Sequence, residues 1–291
     1  MNGKIEKREI KQEDAIKTLL SLGNISVSFT DLAYNGGFFP SKRIKEILPD
    51  SEDYFPTLSL CLINHDLDYP IENLNGFGAL LLIAQSKGQV DKVDSLLRER
   101  ECFVAYESSR IGLLNISYLA TGDKKFLAPV QTNLVLDLLS TMYSDAPKWL
   151  FDFGNVQTIT SDQYLAVHQL VKNAKKWIYQ AKKVQPSEPT DETIDVKLNE
   201  ISSHLVITIK DNGTGILSDK LPLIFGGYTE GGTNIGLRTV KRILDLSGGH
   251  AEVISTRNGQ DTFKYDTRTN AVKKVAENQP HGTTFTLYFP K

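Results

Sequence analysis

Between residues 55 and 86, apolar side chains recur three and four positions apart, at Leu60, Ile63, Leu67, Pro70 or Ile71, Leu74, Phe77 and Leu81. That spacing lines them up on one narrow stripe of a long helix. Gly88 marks a turn. A second helical pattern runs from about Gln89 to Leu119, with Val90, Val93, Leu97, Val104, Ile111, Leu114 and Tyr118 on its apolar side and Gly122 at its end. Two antiparallel helices of this length make half a four-helix bundle, which a second copy of the chain would complete, so a homodimer is expected. Residues 1–50 carry no motif beyond a short helix over Asp14 to Leu22 and an Asn35-Gly36-Gly37 turn ahead of Pro40.

After Gly122 the pattern changes. Residues 123–130 read as a linker, and from there helical and strand-like stretches alternate. Helices are expected from about Asn133 to Tyr143 and from Asp162 to Lys183, strands near Trp149–Phe153 and Val156–Thr160, and a hairpin over Thr193–Leu198 and His204–Lys210. An apolar-periodic helix follows over Ile235 to Leu246, and a well-alternating last strand over Thr283 to Phe289. The polar stretch between Ser255 and Gly282, with its Asn258-Gly259 and Thr269-Asn270 turns, reads as an extra hairpin or loop.

With 291 residues the chain has room for two domains, each with its own core. The net charge of −2 gives no electrostatic reason to propose nucleic acid or an anionic membrane as a partner. The longest apolar run, Gly78 to Ala84, falls well short of the roughly 20 residues needed to span a bilayer. The charged stretch Met1 to Asp14 lacks the apolar core of a signal peptide, so a cytoplasmic protein is expected. Two cysteines, Cys61 and Cys102, each in an apolar-periodic stretch, are expected to be buried thiols.

The candidate chemistry gathers at residues 211–237. The strand Leu205-Val206-Ile207-Thr208-Ile209 runs into Asp211-Asn212-Gly213-Thr214-Gly215-Ile216, and Gly231-Gly232-Thr233-Asn234-Ile235-Gly236-Leu237 opens a helix. Glycines let backbone approach a ligand closely, and a helix N-terminus offers free N–H groups to phosphate. A carboxylate heading the first turn can accept a hydrogen bond from a base amino group. Together these features read as an ATP site with a short mobile segment between the two turns. Upstream, Gln169, Asn173 and Lys176 stand four and three apart, which puts two amides and an ammonium on one helical face. A carboxamide oxygen suits Mg²⁺ and a lysine suits phosphate. His65 sits nearly opposite the apolar stripe of its helix, in His65-Asp66-Leu67-Asp68-Tyr69-Pro70. An exposed imidazole held by a neighbouring carboxylate leaves its other nitrogen free to attack.

The order of these pieces resembles the ATP-binding fold shared by gyrase, Hsp90, histidine kinases and MutL: an asparagine helix, a strand leading into Asp-x-Gly-x-Gly, Gly-Gly-Thr-x-Ile-Gly-Leu opening a helix, and Gly282-Thr283-Thr284-Phe285 leading the final strand. The resemblance covers about residues 127–291. It implies that Asn173 binds Mg²⁺, Asp211 binds the adenine amino group, Gly213 and Gly215 let the base lie close, and Gly231, Gly232 and Gly236 border the phosphates. Lys176 would contact phosphate, Thr283 would assist near the adenine, and Ser218 to Glu230 would be a short ATP lid anchored by Phe225. Asn234 stands where the second turn of these proteins usually has glycine.

Within that superfamily the ATP-hydrolysing members carry a water-activating glutamate four residues before the asparagine, where this chain has Gln169. An amide cannot take that proton. The His65 string resembles the phosphoacceptor box of histidine kinases, with Tyr69 in place of the usual threonine or asparagine, which implies weak or absent phosphatase activity. The expected architecture is α+β: an N-terminal segment (1–50), a helical-hairpin dimerisation and phosphoacceptor domain (51–122) forming a four-helix bundle in the dimer, and an α/β-sandwich ATP-binding domain (127–291). The expected activity is autophosphorylation of His65, aided by Asp66, and transfer to an aspartate on a response-regulator receiver domain. The alternatives are a phosphotransfer scaffold with a decayed ATP site and an ATP-hydrolysing clamp of the gyrase or Hsp90 class.

Overall fold

A computed structural model of the chain describes residues 84–85, 87–98, 100–142, 148–184, 193–226, 235–257, 261–276 and 281–291. The chain divides into two compact units, Met1–Leu113 and Leu114–Lys291. In the first, the turn at Gly88 forms as the sequence predicts. Gly88 has φ +85°, and the N–H groups of Gly88 and Gln89 donate to the carbonyls of Gln85 and Ala84, both at 3.0 Å. This satisfies the last carbonyls of the preceding helix.

The second helical stretch is broken in two: α1 is Val90–Leu96 and α2 is Arg100–Thr121. Between Leu97 and Val104 the apolar spacing lapses over Arg98-Glu99-Arg100-Glu101, so nothing there rewards a continuous buried stripe. Val90, expected on the apolar side, is exposed at the first position of α1, whereas Val93, Val104 and Ile111 are buried. The Tyr106 hydroxyl reaches back to Gln85 Oε1 at 2.7 Å and ties α2 to the turn. Among the described residues no helix is long and apolar enough to cross a membrane.

The second unit begins with the last two turns of α2, which Gly122 ends at φ +69° by donating to the Tyr118 carbonyl at 2.7 Å. Then come β1 (Pro129–Gln131), α3 (Thr132–Met142), β2 (Lys148–Asp152), β3 (Thr158–Thr160) and α4 (Ser161–Val184). The expected linker therefore contains a strand, β1, which pairs antiparallel with β3. Next come β4 (Thr193–Ile201), β5 (His204–Asp211), α5 (Ile235–Ser247), β6 (His250–Thr256), β7 (Thr262–Asp266), β8 (Ala271–Lys274) and β9 (Gly282–Pro290). A seven-stranded sheet has the order β2-β4-β5-β9-β6-β7-β8. Among the described residues, β2 and β4 pair parallel and the other neighbours antiparallel.

One face of this sheet is lined by strictly alternating apolar rows: Ile194, Val196 and Leu198 of β4, Leu205, Ile207 and Ile209 of β5, Ala251 and Val253 of β6, and Phe285, Leu287 and Phe289 of β9. Against it pack α4, which buries Ala166, Val167, Leu170, Val171, Ala174 and Ile178 at three- and four-residue spacing, and α5, which buries Val240, Ile243 and Leu244. Asp162 in the first turn of α4 and Lys182 and Lys183 in its last are placed with the helix dipole. The core is thus a two-layer α/β sandwich.

Candidate nucleotide-binding site

At one end of the sheet the apolar rows stop and polar residues take their inward positions. Asp211 continues the Leu205-Ile207-Ile209 row, Thr283 stands opposite it on β9, and Ser255 stands opposite Thr283 on β6. All three are buried. The Ser255 hydroxyl lies 3.1 Å from Thr283 Oγ1, donates to the Gly282 carbonyl at 3.1 Å, and accepts the Ile216 N–H at 2.8 Å.

The Asp211–Ile216 turn is fitted between three elements. The Gly213 N–H donates to Asp211 Oδ1 at 2.8 Å, and a Cβ at Gly213 would lie 2.9 Å from the backbone of Trp177 on α4. Gly215 adopts φ +71°, and a Cβ there would fall 2.0 Å from the Thr256 carbonyl oxygen. No other residue fits either place without moving backbone. From the head of β9, His281 Nδ1 meets the Gly213 carbonyl at 3.0 Å.

Burial pushes the Asp211 carboxyl up to about 7, against the pull of the Gly213 and Thr283 N–H groups and of His281. A carboxylate this buried, offset only by backbone donors and an imidazole, gains from a further N–H donor. An adenine amino group is such a donor.

On the facing helix, Gln169 and Asn173 do lie together. A Cβ at Gly236, in the first turn of α5, would lie 2.8 Å from Gln169 Oε1 and 3.8 Å from Asn173 Nδ2, so the two amides face the opening of that helix. Lys176 is half-buried, with Nζ 5.3 Å from the Trp177 ring centroid. The first part of the expected lid is packed rather than free. A 3-10 turn over Leu221–Leu223 buries Leu221, and Ile224 and Phe225 follow it inward. The Phe225 ring meets Phe285 of β9 edge-to-face at 6.4 Å.

Residues 161–291 match the family of histidine kinase-, DNA gyrase B-, and HSP90-like ATPases. The chain is 22% identical over 227 residues to the sensor protein KdpD of Clostridium acetobutylicum, covering 70% of this chain and 24% of that protein. It is 27% identical over 201 residues to sporulation kinase D of Bacillus subtilis, covering 66% of this chain and 37% of that protein. It therefore spans about a quarter to a third of the length of these curated relatives. Among solved structures it overlaps the mycobacterial sensor histidine kinase MprB at 22% identity and a TM-score of 0.39, covering 56% of this chain and 96% of that one.

Residues 161–291 carry an ATPase core of the histidine kinase-, DNA gyrase B- and HSP90-like type. Within that core the residues present suit nucleotide and Mg²⁺ chemically: a buried carboxylate able to accept from a base amino group, a glycine turn held against α4 and β6, and the Asn173 carboxamide facing the first turn of α5. His65, Asp66, Tyr69, Gly231, Gly232 and Asn234 lie outside the described residues.

Two residues of the core escaped the sequence reading, Ser255 and His281. Ser255 could have been found had His250–Thr256 been read as a strand, since it follows Ala251 and Val253 at the same period. His281 carries no signal in the sequence, because its contact depends on where the Gly213 turn lies in space.

Proposed function

We propose that the chain is a homodimeric protein-histidine kinase in which residues 51–122 dimerise and carry the phosphoacceptor His65, and residues 127–291 bind Mg·ATP. On this reading Asp211 accepts the adenine amino hydrogen bond, Gly213 and Gly215 let the base lie against their turn, and Thr283 flanks it. Gly231, Gly232 and Gly236 border the phosphates, Lys176 meets them, and Asn173 holds the Mg²⁺. The ion, when bound, neutralises charge on the phosphate oxygens. Asp66 orients the His65 ring and takes its proton while the other ring nitrogen attacks the γ-phosphorus and ADP leaves. The phosphoryl group then passes to an aspartate on a response-regulator receiver domain in the cytoplasm. Positioning and charge neutralisation supply most of the rate in such a transfer.

The observation that carries this reading is the polar row Asp211–Thr283–Ser255 closing one end of an otherwise apolar sheet face, with the glycine turn pinned over it. Gln169 adds to it. It occupies the place of a water-activating carboxylate with a group that cannot accept the proton, which favours transfer to an imidazole over hydrolysis.

Incubation with γ-labelled ATP tests the proposal. Acid-labile, base-stable label on the protein, absent in His65→Gln, is expected. Steady phosphate release without label would replace it with an ATP-driven clamp, and absence of Mg-dependent ATP binding with a scaffold whose site has decayed.

A further inference from the structure

Asp211 does not stand alone at the base end of the site. The Gly213 peptide unit touches it on one side, through the N–H that donates to Asp211 Oδ1 at 2.8 Å. On its other side the same residue's carbonyl is met by His281 Nδ1 at 3.0 Å. An imidazole nitrogen meeting a carbonyl oxygen at that distance carries the proton, so the ring donates.

The chain of contacts is therefore His281 Nδ1–H to the Gly213 carbonyl, and Gly213 N–H to the Asp211 carboxylate. Gly213 has no slack elsewhere, since a Cβ would already overlap the Trp177 backbone at 2.9 Å. On the far side of the turn, Ser255 holds Ile216. The His281 contact thus restrains the near limb of the turn at Gly213, beside the Asn212 carboxamide, whose Oδ1 accepts the Thr193 N–H at 3.0 Å. His281 also acts on Asp211 through space, favouring the ionised carboxylate.

We propose that His281 is a positioning residue for nucleotide binding: its Nδ1–H holds the Gly213 carbonyl, and so the residue whose N–H bonds Asp211, so that the Asp211 carboxylate stays aimed at the amino group of adenine. This rests on the reading of the site as an ATP site, and deepens it by assigning base selectivity to a residue that does not touch the base. His281 then affects how tightly adenine is preferred and leaves the phosphoryl-transfer step itself alone.

Two substitutions of near-equal size separate the donor from the bulk. Asparagine places an amide N–H along the same bond path as Nδ1, and glutamine places one where Nε2 would be. In the full-length chain, dissociation constants with Mg²⁺ are measured for ATP and for purine riboside triphosphate, which lacks only the amino group. The native chain is expected to prefer ATP. His281→Gln should lose that preference by about fivefold, the worth of one net hydrogen bond, with the purine riboside affinity and the labelling rate at saturating ATP unchanged. His281→Asn should keep it.

An undiminished preference in His281→Gln, or an equal loss in both variants, would overturn the assignment. A native chain that binds both nucleotides equally, or neither, would instead remove the ATP-site reading beneath it.

Discussion

Replacing Asp211 with asparagine should uncover a pH dependence of stability that the native chain conceals. Two fully buried groups of the ATPase core that titrate between acid and neutral pH do so far from their ordinary values, in opposite directions. Burial raises the Asp211 carboxyl from 3.8 to about 7, while burial, with Lys172 nearby, lowers the His168 imidazole from 6.5 to about 4. A carboxyl raised on folding contributes its full stability below pH 3.8 and loses it as the pH climbs through about 7. An imidazole lowered on folding contributes its full stability above pH 6.5 and loses it as the pH falls through about 4.

A proton bound in one state and absent in the other changes the unfolding free energy by about 1.4 kcal/mol for every pH unit crossed. Each group therefore changes it by about 3 kcal/mol between pH 4 and 6.5. The two changes have opposite signs, so in the native chain they nearly cancel. Asp211→Asn removes one side of the balance, and the free energy of unfolding should then rise by about 3 kcal/mol from pH 4 to 6.5. His168→Phe removes the other side and should give a fall of similar size. At pH 8, without nucleotide, Asp211→Asn should be the more stable protein by about 4 kcal/mol, because an ionised carboxylate no longer has to be buried. The same variant should bind ATP less tightly, since it presents no carboxylate to the amino group. Urea unfolding of the nucleotide-free chain at a series of pH values, followed by Trp149 and Trp177 fluorescence, measures these differences. Native and Asp211→Asn profiles that superimpose within about 1 kcal/mol would refute the reasoning.

Two further substitutions separate backbone conformation from packing at glycines of positive φ. Gly215→Ala combines φ +71° with a Cβ 2.0 Å from the Thr256 carbonyl, and should abolish nucleotide binding and lower stability by about 3 kcal/mol or more. Gly88→Ala, with φ +85° but open space around it, should cost only about 1 kcal/mol in thermal or urea unfolding. Ser255→Ala leaves the Ile216 N–H without its acceptor and should destabilise the core by about 2 kcal/mol. Faster amide exchange at Ile216 is the local measurement that checks this.

The elements the sequence announced most clearly are those whose pattern is long and unbroken. The buried face of α4 repeats at three and four residues over more than three turns, and β4, β5 and β9 each keep strict alternation over at least three inward positions. Their expected limits fall within a few residues of those observed. Where the pattern is short, it misleads. β1 has a single buried inward residue, Val130, and reads as linker. β6 has only Ala251 and Val253 before its inward row turns polar, and it is not announced as a strand. The continuous helix expected from Gln89 failed for a related reason: apolar residues on both sides of Arg98–Glu101 suggested a stripe that the charged stretch interrupts.

The candidate site shows a different limit. Asp211 and the glycines were legible because a backbone turn that must approach a ligand requires glycine at fixed offsets, and this leaves a mark in the sequence itself. The register that makes them a site leaves none. Asp211, Thr283 and Ser255 come from three strands and fall in line only because β5 pairs with β9, and β9 with β6, at particular offsets. A shift of one residue in either pairing would turn Thr283 or Ser255 to the opposite face, bringing Gly282 or Thr284 opposite the carboxylate, or Ile254 or Thr256 opposite Thr283. The side proposed to face phosphate likewise depends on tertiary placement, with Gly236 meeting Gln169 and Asn173 across two helices. Motif spacing therefore identifies the residues that tolerate a nucleotide. The residues that hold the motif rigid lie outside it, Ser255 on the inward row of β6 and His281 at a contact made only in space, and it is the substitution of His281 that should change base preference while leaving every motif intact.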